Sequence, residues 1–161
     1  MRPEGAFSYY YLGLTKAYEG NVNGAIADFN RLIRLNPKDA IAYYNRGLLE
    51  ATKGDLDGGI ADFDRAIQLG PNFARAYNDQ GSVKAIKGDL DRAIADFNHL
   101  IELNPKDALA FENRAFAKQL KGDFEGALGD LVLSDELTPQ GESLDYLHLY
   151  YRTAESDRTE S

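Results

Sequence analysis

The sequence predicts an all-α protein built from four copies of one helical hairpin. Apolar residues of one segment follow a helical spacing: Leu56, Ile60, Phe63 and Ile67. Four kinds of residue also recur at 34-residue intervals: Pro37, Pro71, Pro105 and Pro139; Gly20, Gly54, Gly88 and Gly122; Asp28, Asp62, Asp96 and Asp130; Phe29, Phe63, Phe97 and Leu131. A fixed period of this length is typical of proteins that stack one structural unit.

Each copy contains two helices, which we call helix A and helix B. In the second copy, helix A extends from about residue 41 to Lys53 and ends at Gly54, because glycine adopts the left-handed conformation that closes a helix. Asp55 follows as the expected N-cap of helix B. Helix B ends at Gly70-Pro71, because proline cannot continue the hydrogen-bond ladder. Similar caps are expected in the other copies: Asn21, Asp39, Asp89, Asp107 and Asp123.

Small and aromatic residues complete the pattern of each copy. An aromatic residue stands four positions before a glycine or alanine of helix A: Tyr9, Tyr43, Tyr77 and Phe111. A small residue stands four positions before the large apolar residue of helix B: Ala25, Gly59, Ala93 and Ala127. This pattern resembles the tetratricopeptide repeat across residues 6–139. The resemblance implies an α-solenoid of four helix-turn-helix repeats: 6–39, 40–73, 74–107 and 108–141.

The two ends of the array are predicted to differ. Residues 142–155 contain no proline or glycine and have apolar residues at helical spacing, which predicts a capping helix over the last repeat: Leu144, Leu147, Tyr151 and Ala154. Residues 156–161 are polar and form the expected tail. No such cap precedes the first helix, so we expect that helix to expose its aromatic residues: Phe7, Tyr10, Tyr11 and Tyr18.

Composition excludes several classes of partner and site. The chain has 26 acidic and 18 basic residues, a net charge of −8, whereas binding to nucleic acid or an anionic membrane needs clustered Lys and Arg. It has no cysteine, which excludes disulfides and thiolate metal sites. Its apolar runs are too short to span a membrane, and Met1 to Gly5 is not an apolar signal segment. We predict a cytoplasmic protein or, if the chain is a mature exported fragment, a periplasmic one.

No residue pattern predicts catalysis. Neither histidine, His99 or His148, belongs to a recognisable triad, and the sequence has no phosphate loop, dinucleotide fingerprint or metal-ligand spacing. The repeated aspartates have a structural explanation, because Arg46, Gln80 and Arg114 recur at the same interval on helix A. We expect these side chains to pair with the aspartates between stacked helices. The prediction is a protein that is not an enzyme and holds no cofactor or metal.

The resemblance also implies a peptide-binding groove on the concave side of the array, lined by the A helices. Carried over position by position, the groove contains Tyr10, Leu14, Tyr44, Asn45, Leu48, Arg75, Asn78, Asp79, Glu112 and Asn113. Asn45 and Asn113 stand where an asparagine of the family often holds a ligand backbone, since an amide both donates and accepts hydrogen bonds.

One ligand class of the family fits this groove poorly. The clamp that holds acidic chaperone C-termini would fall on five positions: Tyr10, Leu14, Asn45, Arg75 and Asp79. Only Asn45 and Arg75 are compatible with such a ligand. The carboxylate of Asp79 would repel such a ligand. The groove therefore favours a protein or peptide that is apolar or weakly basic.

We therefore predict a scaffold or adaptor for protein–protein interaction that binds a peptide or partner helix, with no nucleic-acid partner and no membrane insertion. One alternative is a self-associating structural element that forms a homodimer through its first or last helix. Another is an assembly factor for a bacterial protein complex.

Overall fold

Eight α-helices and no strand form the part of the chain that the structure describes, residues 4–138 of a computed structural model. They are α1 Glu4–Tyr18, α2 Val22–Leu35, α3 Ala40–Lys53, α4 Leu56–Leu69, α5 Ala74–Lys87, α6 Leu90–Leu103, α7 Ala108–Lys121 and α8 Phe124–Leu137. The chain divides between Pro105 and Lys106 into two compact units, with α1–α6 in the first and α7 and α8 in the second. The predicted capping helix 142–155 and polar tail 156–161 lie outside the described residues.

Glycine ends helices and a polar side chain starts most of them, as predicted. The four repeated glycines have φ angles between 77° and 97°, the left-handed region that a C-cap requires: Gly20, Gly54, Gly88 and Gly122. Five polar side chains accept a hydrogen bond from the backbone N–H three residues later: Asn21, Asp39, Asp55, Asp107 and Asp123. Asp89 stands at the N-cap of α6, as predicted, but the expected capping bond is missing, because its side chain accepts no hydrogen bond from α6.

The residue three positions after the cap differs in α6. It is glycine at the start of α2, α4 and α8 but Arg92 in α6. A Cβ atom on Gly58 would lie only 2.6 Å from Asp55 Oδ2, so the capping carboxylate occupies the space of the missing side chain. Arg92 instead places its Nη1 atom 3.6 Å from Asp89 Oδ2. Among the B helices the glycine accompanies the capping bond in three cases and is absent in the fourth, whereas the caps of α3 and α7 form with alanine at this position.

Each hairpin of the first unit packs a glycine of helix A against a phenylalanine of helix B. Phe29, Phe63 and Phe97 are fully buried. A Cβ atom on Gly13 would lie 3.0 Å from the Phe29 ring, which leaves no room for a larger residue there. In the fourth repeat Ala115 and Leu131 take the two positions. A larger residue on helix A thus accompanies a smaller one on helix B, as constant interior volume requires.

The repeated aspartates are buried or nearly buried, and helix A of the same hairpin supplies their cations. The pairs predicted for two arginines are confirmed, within hairpins rather than between stacked repeats: Arg46–Asp62 and Arg114–Asp130. Lysines one turn later on helix A bind this aspartate in three repeats: Lys16–Asp28, Lys84–Asp96 and Lys118–Asp130. Each buried carboxylate therefore has a partner, as burial of a charge demands.

The pairing predicted for Gln80 is wrong. Its Nε2 atom donates to Asp64 Oδ1 at 2.7 Å and to the Ile60 carbonyl at 3.2 Å, both on the preceding α4. Lys84 lies 2.7 Å from Asp96 and supplies the charge that a neutral amide cannot. Gln80 therefore connects two repeats instead of closing its own hairpin.

In the second unit α7 and α8 run antiparallel, and three contacts fix their register. Ser134 Oγ donates to Glu112 Oε1 at 2.9 Å, Arg114 Nε donates to Asp130 Oδ2 at 2.8 Å, and Lys118 Nζ donates to the Gly126 carbonyl at 3.3 Å. Residue numbers rise along α7 as they fall along α8, so the end of α8 lies beside the start of α7. Ser134, which replaces an apolar residue of the earlier repeats, is buried with its hydroxyl satisfied.

Candidate protein-binding surface

Helix α1 exposes an aromatic stripe. Phe7, Tyr11 and Tyr18 are spaced i, i+4 and i+11, which places them on one helix face. Their exposed fractions are 67%, 53% and 95%, so the exposure predicted for these three residues is confirmed. In the other A helices of the first unit the same registers expose Ile41 on α3 and Ile86 on α5. We call these five residues the A-face of the first unit.

Tyr10 does not belong to this exposed stripe, and the expectation that it lies bare is wrong. Its ring packs edge-on against Phe29, with the ring centroids 6.3 Å apart. Tyr10 and Leu14 both pack against the buried cluster of Phe29, Leu32 and Ala42. The reason is angular, because adjacent positions on a helix lie about 100° apart, and Tyr11 rather than Tyr10 points outward.

Tyr44 occupies the register of Tyr10 but carries a polar link to the next A helix. Its ring packs against Phe73 and Phe63, with centroids 4.8 and 5.9 Å away. Its hydroxyl donates to Asp79 Oδ2 at 2.7 Å. Burial, and then the hydrogen bond to the Asp79 carboxylate, raise the pKa of Tyr44 well above its ordinary value, while the charge of Arg75 opposes the shift. The phenol is therefore a permanent donor in this site.

The carboxylate of Asp79 is held in place on both sides. Asn78 Nδ2 donates to Oδ1 at 3.0 Å, and Tyr44 donates to Oδ2. Asn78 and Asp79 are half-buried, whereas Arg75, one turn earlier on α5, is exposed. Four residues predicted for the groove thus gather at one place in the first unit, where an oriented acid lies beside an exposed base.

Asn45 and Leu48 lie half-buried on α3. The Asn45 Nδ2 atom donates to the carbonyl of Ile41, on its own helix, at 2.8 Å. This bond uses one of the two N–H groups of the amide and leaves its Oδ1 atom without a donor among the described residues. The Asn45 amide therefore keeps one acceptor atom and one N–H group beyond this bond.

The second unit has its own exposed stripe on α7. Leu109, Phe116 and Leu120 are spaced i, i+7 and i+11, and their exposed fractions are 67%, 58% and 52%. We call these three residues the A-face of the second unit. The predicted groove residues beside them, Glu112 and Asn113, are half-buried, and Glu112 accepts the hydrogen bond of Ser134.

Sequence reasoning missed four exposed residues of these faces. Ile86 and Leu120 lie at the register of Tyr18, and the other two are Ile41 and Leu109. Both lie at the register of Arg75, which the groove prediction included. Extending the 34-residue period from Arg75 in both directions would have found them.

His99 is half-buried and has structural contacts. Its ring stacks on Tyr77, with centroids 4.3 Å apart, and its Nδ1 atom lies 3.3 Å from Glu102 Oε2. His148 lies outside the described residues. No group of three or more His, Cys, Asp or Glu side chains that could hold a metal occurs within residues 4–138. None of the helices in that range is long and apolar enough to cross a membrane.

Two models of the tetratricopeptide repeat match the chain, one over residues 10–74 and the other over residues 74–107. Together they span more than half of the sequence. The chain belongs to the tetratricopeptide repeat family. The predicted fold class, an all-α helical-repeat solenoid, is confirmed, and the repeats support a scaffold for protein–protein interaction. A search of curated proteins found no match.

Several solved structures share this tetratricopeptide fold. The crystal structure of MamA is 26% identical over 82% of this chain and 77% of its own, with a TM-score of 0.79. YrrB, described as a TPR protein with an unusual peptide-binding site, is 24% identical over 84% of this chain and 70% of its own, with a TM-score of 0.76. The first TPR of Spaghetti (RPAP3), bound to the HSP90 peptide SRMEEVD, is 18% identical over 76% of this chain and 97% of its own, with a TM-score of 0.71.

Proposed function

We propose that this tetratricopeptide protein is a non-catalytic scaffold that binds a peptide or helix of a partner protein on its A helices. The observation that carries the proposal is the aromatic stripe of Phe7, Tyr11 and Tyr18, which leaves large apolar area in water. Contiguous exposed apolar surface of this kind marks interaction sites, and buried aromatic anchors dominate the energy of such interfaces.

Polar groups of the first unit supply the means to orient such a ligand. Asn45 offers an acceptor and a donor to an extended backbone. Asp79, oriented by Tyr44 and Asn78, places a negative charge at the polar end of the site. These features and the net charge of −8 favour an apolar or weakly basic segment.

The acidic C-terminal peptides of chaperones fit this site poorly. The Spaghetti domain binds the peptide SRMEEVD, but its likeness to this chain extends to the fold alone. At the positions of the family's carboxylate clamp this chain has Tyr10, Leu14 and Asp79, none of which attracts a carboxylate. We propose that acidic peptides are rejected here.

Selection of displayed peptides on the full chain tests the proposal. Peptides chosen from a random library should be rich in apolar and basic residues. In calorimetric titration, Phe7→Ser/Tyr11→Ser should weaken their binding about thirtyfold or more, because hot-spot truncation costs about 2 kcal/mol or more. Leu35→Ser, at an exposed apolar position near the end of α2, is the matched control and should bind normally. Unchanged binding by a folded Phe7→Ser/Tyr11→Ser chain would place the site elsewhere.

Self-association through the same stripe is a second candidate function. Phe7, Tyr11 and Tyr18 are exposed at the first helix, so a second copy can cover them instead of a partner. Light scattering separates the two functions. A dimer that persists on dilution and becomes a monomer in Phe7→Ser/Tyr11→Ser would favour self-association, whereas a monomer at all concentrations would exclude it.

A further inference from the structure

The A-face of the second unit is a continuous apolar surface that the described residues leave uncovered. Leu109, Phe116 and Leu120 follow one face of α7, and Phe124, 56% exposed, starts α8 just beyond it. The stripe from Leu109 to Leu120 is about 16 Å long at the rise of an α-helix. Four large apolar side chains more than half exposed on one hairpin indicate a docking surface.

The course of the chain brings one segment to this surface. α8 ends at Leu137 beside the start of α7, because Ser134 bonds Glu112 near that end of the hairpin. Thr138 leaves the helix in an extended conformation, with φ −83° and ψ 130°. Residues 139–141 span at most about 10–14 Å, close to the 8–10 Å between packed helices. The connection is therefore long enough to bring residue 142 to the start of α7.

The sequence of 142–155 suits the stripe in length and pattern. As a helix it would measure about 21 Å and, returning from the end of α8, it would run parallel to α7. Leu144, Leu147 and Tyr151 are spaced i, i+3 and i+7, which gives one apolar face. With Ala154 at i+10 the face is about 15 Å long, close to the length of the stripe on α7.

Charge decides between α7 and the outer side of α8. The segment 142–155 has three acidic residues and one basic residue, namely Glu142, Asp145, Glu155 and Arg152. Arg114 and Lys118 of α7 are already paired with Asp130 of α8, so the remaining charged residues are Lys121 and Glu112 on α7 and three acidic residues, with no basic one, on α8. Beyond Phe124 at its start, the large apolar side chains that α8 exposes are Val132 and Leu133, which are 40% and 43% exposed, less than each of the three on α7. A negatively charged segment is therefore repelled by α8 but not by α7.

We propose that residues 142–155 bind in cis along α7 and cover Leu109, Phe116 and Leu120, rather than capping the outer side of α8. On the second unit the segment would then cover the repeat positions whose equivalents stay exposed on the A-face of the first unit. A partner segment would have to displace it to reach the second unit, so its effective concentration next to α7 makes it an intramolecular competitor. The packing itself does not depend on the function proposed above.

Cysteine-pair cross-linking of the full chain tests this packing, and the absence of native cysteine gives it a clean background. If the segment runs parallel to α7, Phe116 and Tyr151 lie side by side along the helix axes. If it runs antiparallel to α8 instead, Val132 and Leu147 lie side by side. Phe116→Cys/Tyr151→Cys should form an intramolecular disulfide on mild oxidation, on the order of tenfold faster than Val132→Cys/Leu147→Cys, since a held pair has a much higher effective concentration. Phe116 and Val132 are exposed, so neither variant removes a core side chain, and circular dichroism checks that both fold.

Three results would overturn the proposal. Preferential cross-linking of Val132→Cys/Leu147→Cys would place the segment on α8. A cross-linked dimer from Phe116→Cys/Tyr151→Cys would make a second copy the occupant. Absence of cross-linking in both folded variants would mean that the segment covers neither surface.

Discussion

Arg46 and Asp62 form a bidentate ion pair across the α3–α4 hairpin. Arg46 Nε donates to Asp62 Oδ2 and Nη2 donates to Oδ1, both at 2.6 Å. The Asp62 side chain is 7% exposed and that of Arg46 is 20% exposed, so the pair is largely shielded from water. A planar guanidinium matches both oxygens of a carboxylate, which a lysine cannot do.

Removing one partner of this pair is expected to destabilise the protein. Arg46→Met leaves the buried Asp62 carboxylate uncompensated and should lower the free energy of unfolding by about 3 kcal/mol. Urea unfolding followed by circular dichroism measures the loss. Arg65→Met is the control, because Arg65 is an exposed residue of α4 whose guanidinium, within residues 4–138, donates to Gln68 and lies over the ring of Tyr43. Equal losses in the two variants would contradict a special contribution from the pair.

Glu50 is the exception in the charge pattern of helix A. The other three repeats have a lysine at its register: Lys16, Lys84 and Lys118. Burial, and then the charge of Asp62, raise the pKa of Glu50 above its ordinary 4.5, although Arg46 opposes the shift. Glu50→Lys recreates the arrangement of Arg114, Lys118 and Asp130 in the fourth repeat. We expect it to raise stability by about 1 kcal/mol, or roughly 2–4 °C in Tm.

The sign of the pH dependence follows from the raised pKa of Glu50. Well below pH 4.5 the carboxyl is protonated in both the folded and the unfolded chain and has no differential effect. As pH rises through the folded-state pKa, ionisation costs the folded state more than the unfolded one. The stability gain of Glu50→Gln over the natural chain should therefore be small at low pH and larger at neutral pH. Thermal melts across that range check this, and a constant gain would contradict it.

Two glycines at comparable helix positions should respond differently to alanine. Gly129 lies in α8 where the other B helices have alanine, and a Cβ atom there meets nothing within 4 Å. Gly129→Ala should stabilise by about 1 kcal/mol through helix propensity. Gly58→Ala gains the same propensity but forces the Asp55 cap aside, which costs about 1 kcal/mol, so its net effect should be near zero. Chemical unfolding of both variants compares them, and equal gains would mean that the cap moves without cost.

Periodicity predicted the fold well because equivalent positions of every repeat pack in the same way. The glycine ends of helices, the buried phenylalanines and the Arg46–Asp62 pair follow from a 34-residue period and helical spacing. The partner of Gln80 did not follow from the period. This neutral side chain takes the position that arginine has in α3 and α7, and it bonds to α4 instead of to the aspartate of its own hairpin. The empty cap at Asp89 likewise depends on Arg92, a local replacement that the period alone does not reveal. Departures from the repeat were therefore harder to predict than the repeat itself.

The groove residues show a second limit of prediction from sequence. Two adjacent residues of a helix point in directions about 100° apart, so one can be buried while the next is exposed. Tyr10 and Tyr11 have the same side chain and adjacent positions, and resemblance to a family favoured Tyr10. Packing against Phe29 makes Tyr10 part of the hairpin core, whereas Tyr11 is more than half exposed. Only the orientation of α1 against α2 distinguishes them.

The same contrast gives the last prediction. Tyr10→Ala removes a ring that contacts the Phe29 cluster and should lower the free energy of unfolding by about 2–4 kcal/mol, since large-to-small changes leave a cavity. Tyr11→Ala removes a ring that is 53% exposed and contacts the rings of Phe7 and Tyr10, so the loss should be smaller, about 1 kcal/mol or less. Thermal and urea unfolding of the two variants measure this difference. In peptide binding the order should reverse, with Tyr11→Ala causing the larger loss in a fully folded chain. Equal destabilisation by both variants would show that Tyr11 also packs in the core, and the A-face would then lose its principal anchor.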